Sequence, residues 1–294
     1  MISALVTLFN PKQNNVDNIN RIARQSDRVF VCDNSSVDNS ALFAESEQNI
    51  VYIANKKNLG LPAAFNKVFK GDYWETADKD NDDQWIIFFD QDSKIESGHI
   101  NSLINEFKKI REKNDIGCLG PLYYEINSSQ IQIPKSKYRI TEHSYAVKSI
   151  ITSSMLTTLD IIKEVGYWNE DLFLDYADWD FCWRIQKAGK SCCITDVVIL
   201  KHSLGQGKIK IGPMSFRVAA PIREYYQMRD SRYLLKQNYV PLKYKIRFLV
   251  NIYFRSIIHM YCFDNGKERT EYIKRAKNDY KQRKHGEIDS RNGN

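Results

Sequence analysis

Short runs of β-branched and aromatic residues alternate with stretches of helical spacing through the first half of this chain, and nothing else in it limits the possible folds as much. The runs at residues 2–9, 29–32, 51–54 and 85–89 predict strands, while residues 16–25 and 62–70 repeat apolar positions at helical intervals. Such a succession builds βαβ units, and therefore a mostly parallel sheet flanked by helices. Pro62 suits the first turn of the second helix, where its missing N–H costs nothing. Residues 97–113 predict an amphipathic helix, and residues 192–200 a later strand. The polar stretch at 78–84 (DKDNDDQ) predicts an exposed loop, and 128–143 a mobile excursion over the site.

With 294 residues, 43% hydrophobic and 27% charged, the chain can bury one large α/β core and carry a smaller appendage. Its six cysteines form no CxxC pair, and a chain of this length has no need of a disulfide framework, so they read as reduced cytosolic thiols. The opening MISALVTLFNPK has neither a basic leader nor a signal-length apolar run and reads as a first strand.

The net charge of +7 is concentrated late, because residues 214–294 hold 18 Lys+Arg against 8 Asp+Glu. A basic surface of this kind suits nucleic acid, an anionic membrane, a phosphorylated substrate or plain solvent. Strand signals stop near Gly212, which divides the chain into an α/β part (1–212) and a basic helical part (213–294). Within 244–263, Arg247, Asn251, Arg255 and His259 form one polar stripe on an otherwise apolar helix. Its charges are too frequent for a span of roughly 20 apolar residues. Packing on the core, a homodimer contact or insertion into a membrane interface all fit.

Three strand ends carry the chemistry. Trp85-Ile-Ile-Phe-Phe-Asp90-Gln91-Asp92 ends a buried strand in two carboxylates, at the edge where open α/β sheets bind ligands. Carboxylates there suit Mg²⁺ or Mn²⁺ carrying a diphosphate, although Asp92 also suits the cap of the next helix. Cys32-Asp33-Asn34-Ser35 offers a carboxylate, an amide and a hydroxyl to a nucleoside, and the same residues serve local Asx turns. Asn58-Leu-Gly60-Leu-Pro-Ala-Ala-Phe-Asn66 opens a helix whose N-terminus favours an anion.

Taken together, DNSS, NLGLPAAFN and DQD at successive strand ends resemble the nucleotide-binding half of inverting glycosyltransferases of family 2. The resemblance continues through Thr152, Ser153 and Ser154, then VGYWNE at 165–170, FLDYADWDFCWR at 173–184 and Lys201-His202, covering about residues 1–235. The FLDYADWDFCWR phrasing and Arg223-Glu-Tyr-Tyr-Gln-Met-Arg229 look most like the bacterial rhamnosyltransferase branch. It implies a glycosyltransferase-A fold, with 1–212 as the nucleotide-sugar-binding and catalytic domain, in which Thr7, Phe9, Asp33, Asn34 and Ser35 meet the nucleoside. Asn58, Gly60, Asn66, Asp90 and Gln91 would complete the nucleotide site, and Asp92 and His202 would ligate the metal. Asp33 would accept the imide proton that uracil and thymine share, so it cannot separate UDP from dTDP.

For inversion the acceptor hydroxyl loses its proton as it attacks, and the resemblance assigns that proton to Asp178 as general base. Many relatives have a glutamate before this residue, where Ala177 stands here. Ser153, Ser154, Trp179, Asp180, Arg223 and Arg229 would touch substrate. Asp180 with Arg184 also fits a surface ion pair, the two arginines fit a sheet rim as well as a phosphate, and Trp179 with Trp183 fits a core. The implied reaction moves L-rhamnose from dTDP-rhamnose to a lipid-linked saccharide at the cytoplasmic membrane face, with no nucleic-acid partner. A UDP-dependent galactofuranosyl- or hexosyltransferase shares these motifs. The basic tail alone would fit a nucleic-acid-binding scaffold, and Ala177 would fit a transferase that no longer reacts.

Overall fold

The computed structural model describes residues 1–71, 73, 84–125, 130–132, 138–202, 208–211, 214–217, 220–263 and 265–289. The first half runs β1 (Ile2–Leu8), α1 (Gln13–Ala23), β2 (Arg28–Asp33), β3 (Ile50–Ala54), α2 (Gly60–Lys70), β4 (Trp85–Asp90) and α3 (His99–Arg111). It continues through β5 (Ile116–Glu125), β6 (Gln130–Gln132), β7 (Ser144–Val147), β8 (Met155–Thr158), α4 (Leu159–Val165), α5 (Ala177–Lys187) and β9 (Ser191–His202). A two-stranded ribbon of β10 (Lys208–Ile211) and β11 (Met214–Arg217) precedes α6 (Ile222–Leu235), α7 (Leu242–Val250), α8 (Ser256–Cys262) and α9 (Gly266–Lys281).

The main sheet has the order β3-β2-β1-β4-β8-β5-β9-β7, with β6 added beside β5. β1 pairs in parallel with both β2 and β4, so successive connections leave it in opposite directions. That reversal opens a crevice at the carboxyl ends of β1 and β4, the place where open α/β sheets take ligands. β8 runs antiparallel between β4 and β5, which gives a mixed sheet whose N-terminal half is parallel. Both faces are covered, and β1, β2 and β4 are accordingly near-continuous apolar runs without polar alternation. Five cysteines, Cys32, Cys118, Cys182, Cys192 and Cys193, are free buried thiols.

The fold departs from expectation in three places. Strands do not stop at Gly212: Met214–Arg217 pairs antiparallel with Lys208–Ile211. KIKI and MSFR each alternate polar and apolar residues on either side of Gly-Pro, a hairpin pattern hidden by its shortness. The helix expected over 244–263 is broken by a π-helical turn at Asn251–Arg255. Between 128 and 143, Gln130–Gln132 is a strand, and Arg139 bridges to Tyr145. The 78–84 loop lies outside the described residues except for Gln84.

The C-terminal helices share cores with the α/β part. Phe173 stacks on Tyr226 with ring centroids 4.1 Å apart. Trp183 is buried with Leu234, Val240 and Phe248.

Candidate active site

Sheet register brings the three predicted strand ends side by side. Thr7 in β1 is paired with Cys32 on one side and Asp90 on the other, and Leu8 is paired with Asp33. Phe9, next along, is half exposed at 50%, and its N–H donates to Gln91 Oε1 (2.8 Å).

Asp33 is buried and fully engaged. Its Oδ1 accepts from the Ser35 N–H (2.8 Å) and hydroxyl (2.5 Å), and its Oδ2 from Asn39 (2.8 Å) and the Tyr52 hydroxyl (2.6 Å). A carboxylate has about four acceptor positions. Asp33 must therefore release an internal bond before it can accept a base's imide proton, and its standing task is to shape the turn. Asn34 donates to the Gly60 carbonyl (3.1 Å) and accepts from Asn55 (3.0 Å), tying the second strand end to the third.

Gly60 has φ +76°, and a Cβ there would lie 2.3 Å from the Phe173 carbonyl oxygen. The close approach expected at this glycine is thus made by the protein's own chain. The Phe173 carbonyl also accepts from the Leu61 N–H (2.8 Å), and Asn58 Oδ1 accepts from the Gly60 N–H (3.0 Å). Asn66 is drawn away from the nucleotide crevice. Its amide donates to the Trp168 carbonyl (2.8 Å) and Glu170 (2.6 Å) and accepts from the Trp168 N–H (3.0 Å).

The loop after β4 is held by α1. Asn15 and Asn18, three residues apart and so on one helix face, both donate to the Gln91 carbonyl (3.2 and 3.3 Å). Asn15 also donates to Asp92 Oδ1 (3.0 Å). Asp92 is exposed and caps no helix, since α3 begins beyond Gly98. An exposed carboxylate whose one oxygen is oriented by a buried amide fits a hard divalent cation, which prefers oxygen ligands and benefits from an outer partner. His202 ends β9, and its side chain lies outside the described residues. Its backbone neighbour Lys201 forms an isolated antiparallel bridge with Lys94, so the chain segments bearing Asp92 and His202 meet there.

Asp178 reaches this edge through aromatic packing. Phe88 in β4 and Phe181 in α5 both pack on Trp168, with centroids 5.0 and 4.6 Å from it. Asp90 follows Phe88 by two along the strand, and Asp178 precedes Phe181 by three along the helix, so each shares a face with its aromatic. Half-buried Asp178 accepts from the Trp179 N–H (2.8 Å). Removal from water pushes its carboxyl up to about 8; Cys182, Asp175 and Asp90 add to the rise, and the Trp179 bond offsets part of it. Two residues earlier, Tyr176 holds a left-handed backbone (φ 68°), a strained turn at the start of α5.

Several expected substrate contacts are internal instead. Asp180 is fully buried, not a surface partner of Arg184: it accepts from Arg184 (2.8 Å), Tyr239 (2.6 Å) and Asn169 (3.1 Å). Arg229 is fully buried too, donating to Asp230 (2.9 Å) and the Gly286 carbonyl (2.7 Å), which places it beyond reach of a phosphate. Ser153 and Ser154 are buried, bonded to Ser93 (2.5 Å) and His99 Nε2 (2.6 Å). Burial lowers His99 to about 4, so it meets Ser154 as a neutral imidazole. Trp179 packs among Tyr176, Trp183 and Tyr244. Arg223 alone of the two arginines is partly exposed, held by Asp175 at 2.6 and 3.3 Å. Asn15, Asn18, Asn39 and Tyr52 escaped the sequence reading, as did the pairing of Asp175 with Arg223. Asn18 lies on the helix predicted over 16–25, but Asn15 joins it only because the observed helix begins earlier, at Gln13.

A cavity of about 370 Å³ lined by Lys70, Trp168, Glu170, Arg184, Gln237 and Tyr239 lies at the far end of α2.

Comparison with known proteins agrees with the geometry. The model of glycosyl transferase family 2 matches residues 3–155. The dTDP-rhamnosyl transferase RfbF of Shigella flexneri is 29% identical over 282 residues, covering 93% of this chain and 92% of that protein. Among solved structures, GalNAc-T7 with UDP, GalNAc and Mn²⁺ superposes with a TM-score of 0.57 at 12% identity, over 94% of this chain and 55% of its own. S. aureus TarS 1–349 with UDP-GlcNAc also gives 0.57, at 14% identity over 96% and 81%. The fold is glycosyltransferase-A, and the chain belongs to glycosyl transferase family 2.

Proposed function

We propose that this glycosyltransferase moves L-rhamnose from dTDP-rhamnose onto a lipid-linked saccharide, with inversion, during assembly of a bacterial surface polysaccharide. The carrying observation is the placement of Asp178 at the start of a helix that packs, through Phe181 and Trp168, on the strand ending in Asp90, where removal from water raises its proton affinity. A general base works best when its pKa lies near the working pH. Asp178 takes the proton of the acceptor hydroxyl as that oxygen attacks the anomeric carbon from the side opposite the diphosphate. Thr7, Phe9 and the turn shaped by Asp33 receive the nucleoside, and Asp90 lies beside ribose and diphosphate. Arg223 supplies a guanidinium to phosphate oxygens, exchanging part of its hold on Asp175.

Asp92, oriented by Asn15, and His202 would hold Mg²⁺ or Mn²⁺. When bound, the cation neutralises charge growing on the departing diphosphate. The full-length likeness to RfbF supports the deoxythymidine donor. UDP and UDP-GlcNAc in the structural neighbours favour a second reading, a UDP-hexose donor. Full-length protein offered dTDP-rhamnose, UDP-galactofuranose, UDP-glucose and UDP-GlcNAc with either cation should consume the first. Selective turnover of a UDP-sugar would overturn the rhamnose assignment.

A further inference from the structure

A helix on the surface of a water-soluble protein buries one apolar stripe and turns a polar one outward. The segment from α7 through α8 has two apolar stripes. Inward, Phe248 is fully buried against Tyr176 and Trp183, and Tyr244 packs on Trp179 and Trp183. Outward, Leu242, Ile246, Leu249, Tyr253, Ile257 and Tyr261 recur every three or four residues and are exposed by 72, 54, 44, 67, 56 and 76%. Isolated exposed apolar residues are ordinary, but a continuous stripe of them marks a surface that meets something.

Charge decides what covers it. From Leu242 to Cys262 the chain carries four cations (Lys243, Lys245, Arg247 and Arg255) and no carboxylate. Lys243 and Arg247 on α7 are exposed. In a two-fold contact with a second copy, this stretch would face itself and offer its cations no compensating charge. Anionic headgroups compensate each cation, while tyrosines suit the level between headgroup and acyl chain. Among the described residues no helix is long and apolar enough to cross a membrane, so such a stripe lies in the plane of the interface.

We propose that the outward face of α7–α8 docks flat on a bilayer containing anionic lipid, with Ile246, Tyr253 and Ile257 in the acyl boundary and Lys243 and Lys245 at the headgroups. The inference deepens the proposed function by naming where a lipid-linked acceptor is met, yet it stands on side chains outside the donor site.

Flotation of the full chain, without donor or cation, on phosphatidylcholine vesicles with and without phosphatidylglycerol tests it. Binding should need the anionic lipid and fall as salt is raised. Lys243→Gln with Lys245→Gln should weaken it on the order of 30-fold, since each cation near such a surface contributes about 1 kcal/mol, or roughly fivefold. The apolar contribution is tested by Ile246→Ser with Tyr253→Ser and Ile257→Ser, which should abolish flotation while the melting temperature holds. Tyr253→Trp, a milder change, should add fluorescence that brominated acyl chains quench. Wild-type protein that stays off anionic vesicles, a triple variant that still floats, or added fluorescence that escapes quenching would each overturn the proposal. So would a dimer in sedimentation that the triple variant dissolves without any flotation, which assigns the face to a second copy. Sugar transfer is read separately, so a chain that floats without transferring sinks only the enzymatic reading.

Discussion

Asp178 is where residue-level physics bears most directly on activity. Its carboxyl sits at about 8 when folded, against an ordinary value near 4, because burial and nearby groups disfavour its charge. The rate should therefore climb as pH rises toward that value, and Asp178→Asn should abolish the climb. The same variant should lower kcat by about 10²–10⁴-fold while donor affinity, measured by calorimetry, stays near wild type. The linked stability effect has a definite sign. Between the unfolded and folded values the native chain holds the extra proton, so Asp178 makes the fold less stable as pH rises through that window. Denaturant melts of wild type and Asn variant across it should converge at the acidic end.

At this scale the sequence was uneven. A motif at a strand end pointed to Asp90 and Asp92, and the family resemblance to Asp178, but the partners filling Asp33 come from Asn39 and Tyr52, and no local spacing announces them. The Asp180–Arg184 pair was legible from its helical spacing. Its burial was not, because Tyr239 arrives from 59 residues away to close it.

At the scale of elements, the site depends on joints between neighbours. α1 pins the loop after β4 through Asn15, so Asn15→Ala should free Asp92 and raise the cation concentration needed for half-maximal activity by about 10–100-fold, the usual effect of losing an outer-shell partner. An unchanged cation titration would remove Asn15 from that role. α2 meets the segment before α5 at Gly60, where left-handed backbone and the Phe173 carbonyl leave no room for a side chain. Gly60→Ala should cost about 2 kcal/mol or more, from the positive φ together with the clash, read as a lowered urea midpoint. Element type was readable from periodicity for β1 to β4. The short β10–β11 ribbon and the π-turn were not, since four residues of alternation are weak evidence and a π-turn adds only one residue to a helical period.

Across the whole molecule, the C-terminal helices brace the segment that leads into α5. Asp230 in α6 accepts from the Phe173 N–H (2.8 Å) and from Arg229, and burial still holds its carboxyl up at about 7. Arg229→Met would leave a buried carboxylate without its cation, a loss of about 3–5 kcal/mol. The penalty should be larger at pH 8 than at pH 5, where Asp230 is protonated, and Arg229→Met with Asp230→Asn should recover much of the melting temperature. Equal penalties at both pH values would show that the ion pair does not act across this joint.

The chain's own order of residues determined the parallel N-terminal half of the sheet, because apolar period and turn chemistry are local and each βα step repeats them. It also determined which carboxylates stand at strand ends. Tertiary structure alone decided which polar groups are spent internally, as with Asn66, Asp180 and Arg229, and which stay at the crevice. Burial and hydrogen-bond partners are set by segments tens of residues apart, and their distances appear only once the sheet, the aromatic cluster around Trp168 and the C-terminal helices have packed together.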